Sequence, residues 1–456
     1  MRRPGIRSLA GGAAGILAGA IGGIGLTSIS AAGPAAPLAA QAVDAVHVPP
    51  VLVRAGEPVT LRYAIVCAPR DDGEPCDGSG SVYLRAGQSG SFRQLPLERG
   101  QDSSEGRYFV DVPREIASSR SGFSYYAVLR DDTGGATTTV PAGGEAAPQR
   151  SVPFRNVTEI ALGAHAFGSA RAPDERVVAA AWGSAAREAG LAGSRELGFV
   201  GPSAFDVAPD ATVAVLDQVN GRVERWSGAG VTAVNVEVGG GSADFALERD
   251  GGMYVLDPPS RTSPAPLLRS FRSDGRPRWV KRIPDRTWAK LAAGPDGPVV
   301  QQQPSEQWVP ATENGGVLDR NAQAARGRPG RPFSNGREVV VERVGAAELR
   351  LAELAGAAVV RSWGITSATP LGEVQLAEPQ GNRLVIVTKT YTSDRSEYVV
   401  LVLDRSGIVD KFAVDSIEWA ESAPLARFRL QGTSLYRLGS TRAGLFVDRF
   451  DLEVTR

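Results

Sequence analysis

Six tight turns recur along the carboxy-terminal two thirds of this chain at near-constant spacing, and that recurrence constrains the fold more than any other feature. They are Pro209-Asp210-Ala211, Arg249-Asp250-Gly251, Pro295-Asp296-Gly297, Asn335-Gly336, Gln380-Gly381 and Gln431-Gly432. Measured at the last residue of each, they fall 40, 46, 39, 45 and 51 residues apart. Asp, Asn and Gly tolerate the backbone that reverses a chain between two strands. An apolar run follows each turn, at 212–217, 253–257, 298–303, 338–343, 383–389 and 434–439. A third run comes next in every unit, at 222–226, 267–271, 306–309, 348–354, 398–404 and 445–452; four units continue into a fourth, as at 358–364 and 409–414. Short strands in groups of four, repeated every 40 to 50 residues, are the pattern of a β-propeller, whose sheets bury their faces against one another.

The sixth unit has three strands before the sequence stops at Arg456, so its outermost strand has an unpaired edge. Exposed apolar edges invite aggregation, and radial folds remove them by closing the ring. The missing partner is predicted upstream. Residues 176–183 contain Val177-Val178 followed by Trp182-Gly183, the shape of Val359-Val360-Arg361-Ser362-Trp363-Gly364 in the fourth unit with one residue more. The pattern predicts six blades over 154–456, closed by 176–183 pairing with 445–452.

Residues 43–153 follow a different rule. Val59, Leu61, Tyr63 and Ile65 alternate with polar or small neighbours, as do Tyr108, Val110 and Val112, and Phe123, Tyr125, Ala127 and Leu129. Period two between Gly- and Asp-rich turns indicates an antiparallel sandwich. Phe123-Ser124-Tyr125-Tyr126-Ala127-Val128, followed by Asp131-Asp132-Thr133-Gly134-Gly135, resembles a late strand of bacterial immunoglobulin-like or fibronectin-type modules. That resemblance covers about a hundred residues and implies a binding or spacer module. The expected fold class is all-β: an immunoglobulin-like sandwich followed by a six-bladed propeller.

The first 42 residues read as a targeting segment. Arg2, Arg3 and Arg7 precede an uncharged run from Leu9 to Ile24, and Ala40-Gln41-Ala42 has the small-x-small pattern that signal peptidase cuts. Export is the expectation, with the segment either cleaved near Ala42 or kept as a membrane tether. No later stretch is long and apolar enough for a spanning helix, so no transmembrane helix is expected in the mature chain. An oxidising compartment would join Cys67 and Cys76, nine apart, as a disulfide, and a bridge over so short a loop stabilises by about 2.7 kcal/mol.

The segment from Trp182-Gly183 through Gly201-Pro202-Ser203-Ala204-Phe205-Asp206-Val207-Ala208-Pro209-Asp210 to Val213-Ala214-Val215-Leu216-Asp217-Gln218-Val219-Asn220-Gly221-Arg222-Val223 resembles an NHL-type propeller repeat. That family pairs a D-V-x-P-D-G hairpin with an A-D-x-x-N-x-R-V outer turn. The match is good over the first unit and partial over the second, at Tyr254-Val255-Leu256-Asp257. It implies a propeller; the family's members include protein- and RNA-binding scaffolds as well as lyases.

Composition excludes several chemistries. Two histidines, His47 and His165, two cysteines and four lysines against 46 arginines leave little for a His/Cys metal site, a Ser-His-Asp triad or a Schiff-base lysine. Propeller lyases depend on histidine or a metal at the central mouth, and here the one candidate, His165, lies upstream of the ring. No catalytic residue, metal ligand or cofactor is therefore assigned. Asp217 and Asp257 are expected to bond amides in the turns that follow them, and Asn156-Val157-Thr158 is a glycosylation sequon.

Charge carries the functional hint. Lys plus Arg and Asp plus Glu both total 50, yet residues 151–260 hold 8 basic and 14 acidic side chains, and 261–337 hold 14 basic and 6 acidic. The basic span supplies Arg269, Arg272, Arg276, Arg278, Lys281, Arg282, Arg331 and Arg337, with Trp279, Trp288 and Trp308 interleaved. Arginine forks suit phosphate and carboxylate, and Trp stacks on sugars. The expectation is an extracytoplasmic binding or scaffolding protein with a basic face for an anionic envelope polymer or an acidic protein, intracellular nucleic acid being out of reach. The alternative is a carboxylate- or calcium-dependent propeller enzyme acting on a sugar or peptide polymer, and a third reading is an adhesin that self-associates through the sandwich edge.

Overall fold

The computed structural model describes residues 43–66, 77–100 and 107–452, other than 133, 195–197, 240, 261, 262, 264, 284–289, 303–305, 314, 315, 319–325 and 421–424. The expected leader, the expected Cys67–Cys76 bridge and Trp288 lie outside these residues. The described chain is nearly all β, with one helical turn at Arg114–Ala117 and a short 3-10 turn at Gly144–Ala146.

The six turns found in the sequence share one backbone feature. Their last residues all have positive φ: Ala211 at 66°, Gly251 at 82°, Gly297 at 128°, Gly336 at 74°, Gly381 at 60° and Gly432 at 60°. Five are glycine, the residue that takes this conformation without a Cβ clash, and Ala211 takes it at a steric cost.

Around each turn stands an antiparallel sheet. The first comprises Ala204–Val207, Val213–Asp217, Arg222–Ser227 and Gly230–Asn235; the second Asp244–Leu247, Met253–Asp257, Leu267–Phe271 and Pro277–Arg282. The third has Leu291–Gly294, Gly297–Gln301 and Trp308–Pro310; the fourth Arg331–Pro332, Arg337–Arg343, Glu348–Ala355 and Ala358–Thr366. The fifth has Leu371–Gln380, Arg383–Tyr391, Ser396–Leu403 and Ile408–Asp415. In the sixth, Phe428–Gln431, Ser434–Thr441 and Gly444–Asp451 are completed by Glu175–Trp182, in the order the sequence predicted. Ala179 lies opposite Phe446 and Ala180 opposite Leu445 in antiparallel register, and Trp182 Nε1 donates to Thr441 O at 3.0 Å.

The sheets pack face against face. One core joins the first and second through Leu216, Phe245, Val255 and Phe271, and another joins the second and third through Leu268, Leu291 and Val300. Leu351, Trp363, Ile386 and Leu401 join the fourth and fifth; Val400, Phe428 and Phe450 join the fifth and sixth; Val178, Phe205, Val215 and Leu438 join the sixth and first. Each such side chain contributes about 1.5–3 kcal/mol on burial, far above an exposed ion pair at about 0–1, so these faces hold the fold together. Innermost strands lie side by side between the first and second, second and third, fifth and sixth, and sixth and first sheets, the last as Phe428–Gln431 beside Ala204–Val207. The arrangement is of β-propeller type.

The chain leading into the first sheet runs as a belt along the outer edges of three others. Val157–Ala161 pairs in parallel with Ala358–Thr366 of the fourth sheet, Arg171 N donates to Ala413 O at 2.8 Å beside the fifth, and Glu175–Trp182 completes the sixth. Between the first two contacts the belt is fastened by His165, whose Nε2 lies 2.7 Å from Glu397 Oε2 while Gly168 N donates to Glu397 Oε1 at 2.7 Å.

Residues 43–154 build two antiparallel sheets, of four and five strands, around one core that includes Leu61, Tyr63, Val82, Leu84, Phe123 and Tyr125. A clamp fixes this module to the fourth sheet. Leu52, Val152 and Phe154 pack on Val340, Ala352 and Leu354, and Glu342 accepts from the amides of Val51 and Leu52 at 3.1 and 2.6 Å. Buried Arg350 donates to both oxygens of Glu57 at 2.7 Å and to Leu52 O at 3.0 Å. Such a bidentate fork is the strongest form of this pairing.

Candidate functional site

Among the described residues no core joins the third sheet to the fourth. A recess of about 590 Å³ lies there instead, with walls from the second to sixth sheets and from Val48, Pro49 and Val51 beside the clamp. Arg429 reaches inward from the sixth sheet and donates to Phe205 O and Phe245 O at 3.0 Å each, tying three innermost strands together.

Charges of both signs line the recess. Asp244, Glu306, Glu342 and Glu373 face it, as do Lys290, Arg331, Arg343 and Arg429. Most are committed. Asp244 accepts from Leu291 N at 2.6 Å and Phe245 N at 2.8 Å; burial pushes its carboxyl above the usual range against the pull of Arg429 and those amides. Lys290 Nζ donates to Glu373 Oε1 at 2.8 Å, and Gln375 Nε2 donates to Glu373 Oε2 at 3.0 Å. Arg331 pairs with Glu378.

Glu306 is the exception. The residue is exposed and lines the recess; desolvation raises its pKa, opposed by Lys290 and reinforced by Glu373. The sequence pattern placed Glu306 in the third strand of its unit. The structure starts that strand at Trp308, because Glu306 has φ of 55° and a left-handed residue cannot continue an extended strand. A non-glycine residue held there costs of order 1–2 kcal/mol.

Trp288 apart, the ten residues singled out from the basic span fall in three places. Seven cluster on the two outer strands of the second sheet and the turn between them. There Arg269 Nε donates to Asp257 at 2.6 Å and Arg278 pairs with Glu248 and donates to Phe271 O, while Trp279 packs against Tyr254 with ring centroids 6.0 Å apart. Lys281 Nζ is 5.8 Å from the Trp279 ring, and Arg276 is 3.4 Å from Asp274. Arg272 and Arg282 are exposed and form no ion pair with another described residue. Trp308 and Arg331 sit together at the recess, the guanidinium 5.9 Å from the indole centroid. Arg337 lies apart, lining a cavity of about 450 Å³ with Glu353, Arg361 and Asp404.

Sequence reasoning missed the recess. Its acids and bases come from segments 47 to 83 residues apart, as in Arg331–Glu378 and Lys290–Glu373, and no local motif links them. Asp217 does accept from Asn220 N in the turn that follows it, at 3.2 Å, but Asp257 accepts from Gly239 N, upstream, at 3.1 Å. Among the described residues no group of three or more His, Cys, Asp or Glu is arranged to hold a metal ion, and no helix is long and apolar enough to cross a membrane.

No family model matches the chain, and no curated protein matches it in sequence. Among solved structures it is similar to a streptogramin B lyase (9% identity, 54% of this chain and 92% of that one, TM-score 0.30). It is also similar to a eukaryotic initiation factor (12% identity, 82% and 97%, TM-score 0.26). A third is a quinonprotein alcohol dehydrogenase-like protein from Bacteroides thetaiotaomicron (8% identity, 80% and 94%, TM-score 0.28). At such scores these likenesses carry no weight for activity, and the propeller-type assignment rests on strand pairing and face-to-face cores.

Proposed function

We propose that this is an exported extracytoplasmic binding protein: an immunoglobulin-like module clamped to a six-bladed, NHL-like propeller whose ring is closed by Glu175–Trp182. The closure reading is supported by the register of Glu175–Trp182 on Gly444–Asp451 and by the core shared between the sixth and first sheets. The ligand of the basic edge is an anionic envelope polymer or an acidic protein surface. One observation carries that choice: Arg272 and Arg282 stand exposed, with no ion-pair partner among the described residues, on an outer edge where Arg269 and Arg278 are already neutralised. Two free guanidinium forks on one edge suit carboxylate or phosphate groups.

Binding to immobilised alginate and polyphosphate across a salt series tests this reading. Affinity is expected to fall steadily with salt and to drop further in an Arg272→Ala/Arg282→Ala double variant. Binding that ignores salt, or none to either polymer, would remove it. A second reading, a carboxylate-dependent enzyme at the central mouth, is favoured by the raised pKa of Glu306 close to Glu373.

A further inference from the structure

We propose that the recess between the third, fourth and fifth sheets is a binding site for a neutral sugar unit, seated against Trp308 and the polar wall of Glu306, Lys290 and Glu373. It is a site separate from the basic edge and stands whether or not that edge binds polymer.

The ligand class follows from charge. Four carboxylates and four cations line the recess, so it has no net sign to offer. Near Trp308 an anion meets Glu306 and Glu373 as well as Arg331, and a cation meets Arg331 and Lys290, the latter bonded to Glu373 and acting on Glu306. A neutral ligand avoids both repulsions.

The polar groups come as neighbouring donors and acceptors with capacity to spare. Lys290 spends one of its three N–H donors on Glu373, and Gln375 Nε2 donates to the same carboxylate. Gln301 Nε2 donates to Glu306 O at 3.3 Å and keeps its amide oxygen, while the Glu306 carboxylate retains two acceptor oxygens. Vicinal hydroxyls, each able to donate and accept, match such a wall. The remaining lining, from Val48, Leu291, Val341 and Val374 together with the Trp308 ring, supplies the apolar surface that the C–H face of a sugar needs.

Size and strain agree. Small-molecule sites run from about 300 to 1,000 Å³, and this recess falls inside that range. Glu306 is held at a φ that glycine would occupy more easily, and backbone strain of this kind concentrates at ligand sites.

The test is titration calorimetry of the chain with cellobiose, maltose, chitobiose and mannobiose, alongside glucuronate and glucosamine as charged counterparts. At least one neutral disaccharide is expected to bind, more tightly than either charged sugar. Trp308→Ala and Glu306→Gln should each weaken it about tenfold, and Arg272→Ala/Arg282→Ala should leave it unchanged. Glu306→Gly separates recognition from folding: it should lose the same affinity while keeping or raising the thermal midpoint. No binding by any neutral disaccharide, tighter binding of a charged sugar, or affinity untouched by both Trp308→Ala and Glu306→Gln would overturn the proposal. Salt-sensitive polymer binding lost only in the Arg272/Arg282 variant would uphold the basic-edge reading without rescuing this one.

Discussion

Among the described residues, the fourth, fifth and sixth sheets wear a belt, and the first and second do not. Along the belted side, residues 157–182 cover the outer edge of each sheet with added backbone pairing, and the amino-terminal module is clamped to the fourth sheet by Arg350, Glu57 and Glu342. On the open side, the outermost described strands are Gly230–Asn235 and Pro277–Arg282, each paired on one edge. The two sides solve one problem by different means. Where chain is available it covers the edge; on the second sheet, Pro277 removes a donor and Arg278 and Lys281 crowd the strand with charge, both of which discourage another strand from docking. Much of the basic span is thereby accounted for as edge protection, and Arg272 and Arg282 are what that accounting leaves over.

The contrast is broken most sharply by placing the same charge on each side. Val178, fully buried in the belt strand, becomes an unpaired internal charge in Val178→Asp, with an expected loss of at least about 3 kcal/mol in urea unfolding. Val280, 47% exposed on the open edge, should tolerate Val280→Asp within about 0.5 kcal/mol. Equal costs would mean that the belt is not integral to the fold.

The clamped side should also be the acid-sensitive one. His47 is buried in the amino-terminal core, where Nδ1–H donates to Arg62 O at 2.7 Å, Nε2 accepts from Tyr125 Oη at 2.8 Å and the ring stacks on Tyr63. Burial lowers its pKa to about 4, against the Arg62 hydrogen bond. The folded imidazole is neutral where the unfolded one already binds a proton. The associated stability is therefore full above about pH 6.5 and is lost as pH falls towards 4, about 3 kcal/mol in all. Titration of the His47 ring by NMR checks this; a midpoint near 6.5 would contradict it.

Cutting the clamp has a smaller expected effect. Glu57→Ala leaves Arg350, only 7% exposed, without its fork and should cost about 2 kcal/mol by thermal unfolding. The Arg350 hydrogen bonds hold the Glu57 carboxyl below its usual pKa, so this contribution is present at neutral pH and fades as acid protonates it. Smallest is a gain on the open side: Ala211→Gly should stabilise by about 0.5–1 kcal/mol by relieving φ of 66°. A loss there would mean that the turn is not strained.

What could be read from the sequence is what local chemistry encodes. Five of the six turn residues are legible because positive φ selects Gly, the sixth, Ala211, through the Pro209-Asp210 before it, and the strands because apolar runs follow at fixed offsets. The borrowed strand was legible through its Val-Val and Trp-Gly likeness to 359–364, and both Trp182 and Trp363 donate their indole N–H to a backbone carbonyl. The parallel strand Val157–Ala161 was not, since five residues of mixed polarity carry no period. Nor was the Arg350–Glu57 fork, whose members are 293 residues apart. Glu306 escaped notice because its signal is a dihedral angle and an environment rather than a motif.

Everything here turns on whether residues 175–182 belong to the sixth sheet. Hydrogen exchange followed by mass spectrometry measures that directly: amides of 175–182 should exchange as slowly as those of 444–451, both only through global unfolding. Exchange of 175–182 at loop rates while 444–451 stays protected would contradict it.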